Sequence, residues 1–185
     1  MSKPSSGHFI GTAGSNNTLK NLSQKDYKSD IILPKGIDTR EHPTKYKQLS
    51  SKKLKTLREK VANRTITKEE YKRLDWQKRL DARRRDGIEA FWEAEIERIN
   101  KKLPTTRNWS VTQRADILNG RRPKFKKEPM QSHHTYSVAK YPHLANIGSL
   151  IYPATRNEHT NRWHNRNFKK SLPGKPMNYQ VKEDF

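Results

Sequence analysis

The stretch SHHTYSVAKYPHLANIGSLIYPATRNEHTNRWHNRN, residues 132–167, holds five of the chain's seven histidines: His133, His134, His143, His159 and His164. A purely structural segment gains little from such crowding, whereas a metal site or an acid–base site requires it. The local pattern also predicts a fold. His133 and His134 lie in a short alternating run that reads as a strand, and SLIYPA (149–154) is a brief apolar run suited to a second. Thr155 then caps a helix, with Glu158 in the capping-box position and His159 in the first turn. The order is strand, loop, strand, helix.

Neighbouring residues on a strand point to opposite faces. His133 and His134 therefore do not easily bind one metal together unless the strand is distorted, but they can divide the labour, one imidazole holding an ion and the other facing a substrate. His159 meets the strand if the helix packs on it. His164 lies five residues further on, about 140° round an ideal helix, and joins the same site only if the helix loosens. Two or three imidazoles with open positions suit Zn, Ni, Co or Mn better than Mg, which prefers oxygen. His143, in YPHLAN, reads as a structural or loop residue, and His8 and His42 as surface residues. Trp163 reads as core on an amphipathic helix, with stacking on a base as the alternative.

Upstream, the pattern turns helical. LSSKKLKTLREKVANRT predicts a short helix with Leu54, Leu57 and Val61 on one face. Thr67 and Glu70 form a capping box that opens a long helix reaching about Lys102, with Leu74, Leu80, Ile88, Phe91, Trp92, Ile96 and Ile99 available for burial. Gly87 is a tolerated weak point within it. Pro104 ends that helix, and Ser110 and Gln113 start a smaller one that stops at Gly120. RRPKFKKEPMQSHHTYSV, with its two prolines, fits a hairpin or irregular strand pair. The expected fold is α+β and mainly helical. Residues 1–48 read as a flexible basic arm or linker, 49–120 as a helical region, 121–170 as the small strand–strand–helix core, and 171–185 as an extended tail.

Composition says what such a site meets. Forty Lys and Arg against nineteen Asp and Glu give a formal charge of +21, which calls for a polyanionic partner because bound phosphates release counterions. The expected phosphate contacts flank the histidines: Arg121, Arg122 and Lys126 before the pair, Arg156 and Arg162 on or beside the helix. No stretch approaches the ~18 apolar residues of a membrane span. The chain has no cysteine, so disulfides and thiolate zinc sites are excluded. MSKPSSGHFIGTAGSNNTLKNLS has no apolar signal core, so export, if there is any, is expected by another route or within a larger polypeptide.

Over residues 117–168, from ILNGRRPKF through HNRN to Phe168, the chain resembles the HNH/endonuclease VII class of nucleases, and most of all the GHH-like toxin domains of bacterial polymorphic toxins. The helical region from 50 to 103 fits such toxins only in general character. The resemblance implies a ββα-metal core holding one divalent ion (Zn, Ni, Mn or Mg). Carried over, His133 is a metal ligand, His134 the general base, His159 the second ligand and His164 a third, with Asn146 supporting the loop. Ser132 stands where relatives often have Gly, and HNRN where many have HGGN. The implied activity is DNA cleavage with little sequence specificity by a toxin delivered from the producing bacterium into a target cell's cytoplasm. An acidic cognate immunity protein is implied as partner. The alternatives are an RNase toxin, or a non-catalytic nucleic-acid-binding module with a closed structural ion site.

Overall fold

Three capped helices make up the front of the molecule in the computed structural model, which describes residues 33–185. Residues 1–32 of the expected arm, with His8, lie outside the described residues. Ser50 caps α1 (Ser51–Ala62), whose Leu57 is fully buried. Thr67 and Glu70 close the expected capping box on α2 (Lys68–Asn100), and Ser110 and Gln113 close another on α3 (Val111–Leu118). These starts are legible because each box satisfies orphan N–H groups from within four residues. Gly120 follows α3 at φ +67°, the left-handed backbone that a glycine accepts without strain.

Four short strands follow. β1 (Lys124–Phe125) and β2 (Glu128–Pro129) form a tight hairpin. β3 (Gln131–His134) pairs antiparallel with β4 (Ile151–Ala154), so that His133 faces Tyr152 and His134 faces Ile151 in register. The loop between them contains two short 3-10 turns, Pro142–Leu144 and Gly148–Leu150, and packs on α2. After β4, Thr155 accepts from the Glu158 N–H while Glu158 Oε2 accepts from the Thr155 N–H, which is the expected box. The helix that follows is wound as a π-helix over Glu158–Trp163. The fold is thus α+β, with helices and two small two-stranded sheets among the described residues.

The core is split into small clusters, as the low apolar content requires. Trp109, Ile117 and Met130 pack with Trp92, Ile96, Ile99, Phe125 and Phe185. Leu80, Val138 and Ala145 join α2 to the β3–β4 loop, backed by Trp76. Residues 33–48 form no helix or strand, yet they are tied down. The His42 N–H donates to the Lys140 carbonyl, Lys140 pairs with Glu41 at 2.9 Å, and His143 Nε2 donates to the Asp38 carbonyl.

One buried ion pair fixes the start of the π-helix. Arg107 donates to both carboxylate oxygens of Glu158, at 2.5 and 2.8 Å, and to the carbonyls of Pro153 and Phe185. Their side chains are 1% and 0% exposed. Burying both charges is tolerable because almost every donor and acceptor direction is filled. The C-terminal tail closes this knot: Asp184 N–H donates to Glu158 Oε1, and Tyr152 Oη donates to Glu183.

Candidate metal centre and active site

Strand alternation puts His133 and His134 on opposite faces of β3. His133 points towards the π-helix and is 4% exposed; His134 points towards α2 and is half-buried. The His133 ring lies 4.9 Å from that of His159 and 5.0 Å from that of His164, and the latter two rings are 4.9 Å apart. Nitrogens of the three lie within 4.8 Å of one another. The π-winding makes this possible. In an α-helix His164 would be rotated well away from His159, whereas i→i+5 winding stacks residues five apart.

Two of the three imidazoles are oriented by hydrogen bonds. His159 Nδ1 donates to Gln131 Oε1 at 2.5 Å, and His164 Nδ1 donates to the Lys170 carbonyl at 2.9 Å. That leaves the Nε2 lone pair of each ring for a ligand, the arrangement by which outer partners fix metal-binding histidines. His133 Nε2 is buried without a hydrogen-bond partner. A buried orphan nitrogen is costly, and the three rings offer nitrogens close enough together to share one ion. Three donors leave open positions, as catalytic sites need. The residues present therefore fit a divalent ion that favours imidazole.

Electrostatics favour the same state. Burial, reinforced by His159, His164 and His134, holds His133 well below the usual histidine range. Burial and then His164 bring His159 down to about 4. Both rings are thus neutral at physiological pH, the form that binds metal. His134 is also lowered to about 4, chiefly by burial, with Arg84 adding to the effect and the hydrogen bond to Ala145 opposing it. Its Nε2 donates to the Ala145 carbonyl at 3.1 Å. A carbonyl only accepts, so Nε2 carries the proton and Nδ1 presents the lone pair.

A pocket of about 470 Å3 includes all four rings. Its wall also takes in Lys47, Tyr46, Trp76, Arg84 and Phe168. Phe168, 61% exposed, stands at 4.9 Å from the His164 ring and 5.7 Å from His159. The five expected phosphate contacts are absent from this wall. Arg121, Arg122, Lys126 and Arg156 are exposed, with Arg121 paired to Asp116 and Arg156 to Glu128. The reading of Arg162 is corrected: it is 6% exposed and donates to the Val181 carbonyl, so it braces the tail instead of meeting phosphate. Trp163 is 3% exposed beneath His133 and Tyr152, and is core. His143, bonded to Asp38 and packed edge-on against His42, stays outside the triad.

Sequence reasoning missed Arg84 and Lys47. A signal existed for Arg84. Leu80, Gly87, Phe91 and Glu95 form the buried stripe of α2, and position 84 completes its four–three–four spacing. An arginine on the inward stripe of an otherwise solvated basic helix marks a polar cavity. Lys47 sits in a segment with no regular element and carries no comparable signal.

Three imidazoles close enough to share an ion, beside a fourth whose Nδ1 carries the lone pair, in a chain of formal charge +21, are parts that phosphoester hydrolysis can use. The family comparison makes this particular. Residues 74–155 match a family described as GHH signature containing HNH/Endo VII superfamily nuclease toxin, which identifies an HNH/Endo VII superfamily nuclease toxin domain in this chain. No curated protein and no solved structure matches the chain. The matched stretch takes in most of α2, His133, His134 and Asn146, and ends before His159 and His164. The resemblance thus reaches further towards the N-terminus than residue 117 and takes in α2 from Leu74 onward. No helix among the described residues is long and apolar enough to cross a membrane.

Proposed function

We propose that this nuclease toxin is a metal-dependent endonuclease of the ββα-metal type, with its core in residues 121–170, that hydrolyses DNA with little sequence specificity. The observation that carries the proposal is the convergence of the His133, His159 and His164 rings, with nitrogens within 4.8 Å of one another, beside a His134 whose Nε2 is tied to a carbonyl. His133, His159 and His164 would hold the ion. When bound, it supplies Lewis-acid stabilisation of charge on the phosphate and leaving oxygen. His134 Nδ1 takes the proton from the attacking water as the new P–O bond forms and the bond to the leaving sugar oxygen breaks. A phosphodiester anion in the pocket favours the imidazolium that results, offsetting the effect of burial on this base. Arg84 and Lys47 supply positive charge to the same pocket, and exposed Arg121, Arg122, Lys126 and Arg156 hold backbone phosphates without reading sequence. Asn146 is a loop support: its Oδ1 accepts from Arg83.

As a toxin of this family the domain would be delivered from a producing bacterium into the cytoplasm of a competing cell. The producer would be protected by an acidic immunity protein, complementary to the +21 charge. Plasmid cleavage by folded protein, wild type beside His134→Ala, with and without chelator, tests the reading. Cutting that requires both the ion and His134 supports it. Tight DNA binding without cutting by ion-loaded wild type rejects the DNase, and cutting of RNA alone assigns the same site to an RNase.

A further inference from the structure

Gly87 lies on the inward stripe of α2, a position where alanine would make the better helix. The reason for glycine is on the other side of the contact. A Cβ built on Gly87 collides with the Ala145 carbonyl oxygen and stands 3.1 Å from both Cα and the carbonyl carbon of Asn146. That oxygen is the one that accepts from His134 Nε2. One turn earlier, Arg83 donates to the His143 carbonyl at 2.7 Å and to Asn146 Oδ1 at 2.8 Å, clamping the loop on both sides of Ala145. Gly148 lets the far end of the loop approach the same helix: a Cβ there would lie 2.8 Å from Phe91 N and 2.9 Å from the Ala90 carbonyl carbon.

We propose that Gly87 and Arg83 are positioning residues for His134, with the notch at Gly87 and the Arg83 clamp setting the Ala145 carbonyl that holds the ring as its Nε2–H tautomer. The proposal rests on His134 being the base, and it makes α2 part of the active site although it contributes nothing to the ion triad. A side chain at position 87 displaces the carbonyl, frees Nε2 and lets the ring turn its lone pair away from the pocket. Exposed Arg83 works from outside the core, so its loss loosens the loop without opening a cavity.

The test uses the full chain and two variants, Gly87→Ala and Arg83→Gln, with long-range 15N–1H correlation of the His134 ring at a pH where it is neutral. Wild type should show the Nε2–H tautomer; both variants should shift towards a mixture, Gly87→Ala further. On DNA, kcat of Gly87→Ala should fall about ten- to a hundredfold, below the 10²–10⁴ of a general base, with KM and zinc affinity nearly unchanged. Adding Gly87→Ala to His134→Ala should lower the residual rate no further. The ring spectrum decides even if the protein cuts no nucleic acid, so failure of the nuclease reading stays separate. An Nδ1–H tautomer in wild type overturns the proposal, as does a wild-type spectrum in both variants. So does a full additional loss in the double variant, which marks plain packing. If Gly87→Ala does not fold, Arg83→Gln decides alone by the same spectrum.

Discussion

His133 and His134 are neighbours on one four-residue strand, yet their surroundings differ in kind. The first faces the π-helix, packs against Trp163 at 4.5 Å between ring centroids, and finds no hydrogen-bond partner for Nε2. The second faces α2, and its Nε2 is satisfied by a backbone carbonyl. One imidazole has a buried nitrogen with no partner; the other has its Nε2 satisfied, which leaves the lone pair on Nδ1. Alternation on a strand separates two environments by one residue.

The largest expected effect breaks the His133 side. His133→Ala and His159→Ala should each abolish chelator-sensitive DNA cleavage in a gel assay, because two imidazoles no longer fix the ion. On the other side, His134→Ala should keep the ion and lose about 10²–10⁴ in kcat, the usual share of a general base.

The support beneath the His133 side can be broken without touching a histidine. Glu158→Gln removes the charge opposite buried Arg107 and should destabilise the fold by about 3–5 kcal/mol, as for other buried pairs that lose one partner. Denaturant unfolding measures this, and a value below ~1 kcal/mol would mean that the pair behaves like a surface contact.

Acid acts on both sides at once. The folded-state values of His134 and His159 are depressed to about 4, and His133 is lowered as well. The unfolded chain binds more protons between about pH 6.5 and 4, so ion-free protein is at full stability above that window and loses it as pH falls. Melting temperatures across pH 4–7.5 should follow this slope, and added zinc should steepen it. Histidine substitution at any of the three should flatten it.

The smallest effect concerns HNRN. Asn165 and Arg166 adopt φ of 44° and 61°, the left-handed backbone that favours glycine. The turn is retained without glycine, held by the Arg166 N–H to the Thr160 carbonyl at 2.8 Å. Arg166→Gly should relieve about 0.5–1 kcal/mol once the greater freedom of the unfolded glycine is deducted. A small rise in melting temperature with unchanged cleavage would bear this out.

What was legible in the sequence was mostly local. The boxes at Thr67, Ser110 and Thr155, the two strands and the opposed histidine pair depend on residues within a few positions of one another. The third ion-binding position was not settled, because α-periodicity turns His164 away and only the π-winding returns it. Gly87 read as a weakness, since its reason lies 58 residues away in the Ala145 carbonyl. Arg162 read as a phosphate contact because a basic residue beside a candidate site resembles its neighbours. Only the packed tail turns it inward. Where a residue's partner is distant in the chain, charge and periodicity alone do not assign it.

The most direct measurement is calorimetric titration of folded ion-free protein with zinc at pH 7.5, comparing wild type, His133→Ala and His134→Ala. Wild type and His134→Ala should bind one ion with similar affinity, while His133→Ala should show no specific binding. Equal loss in both variants, or zinc binding that survives His133→Ala, would contradict the division of labour along β3.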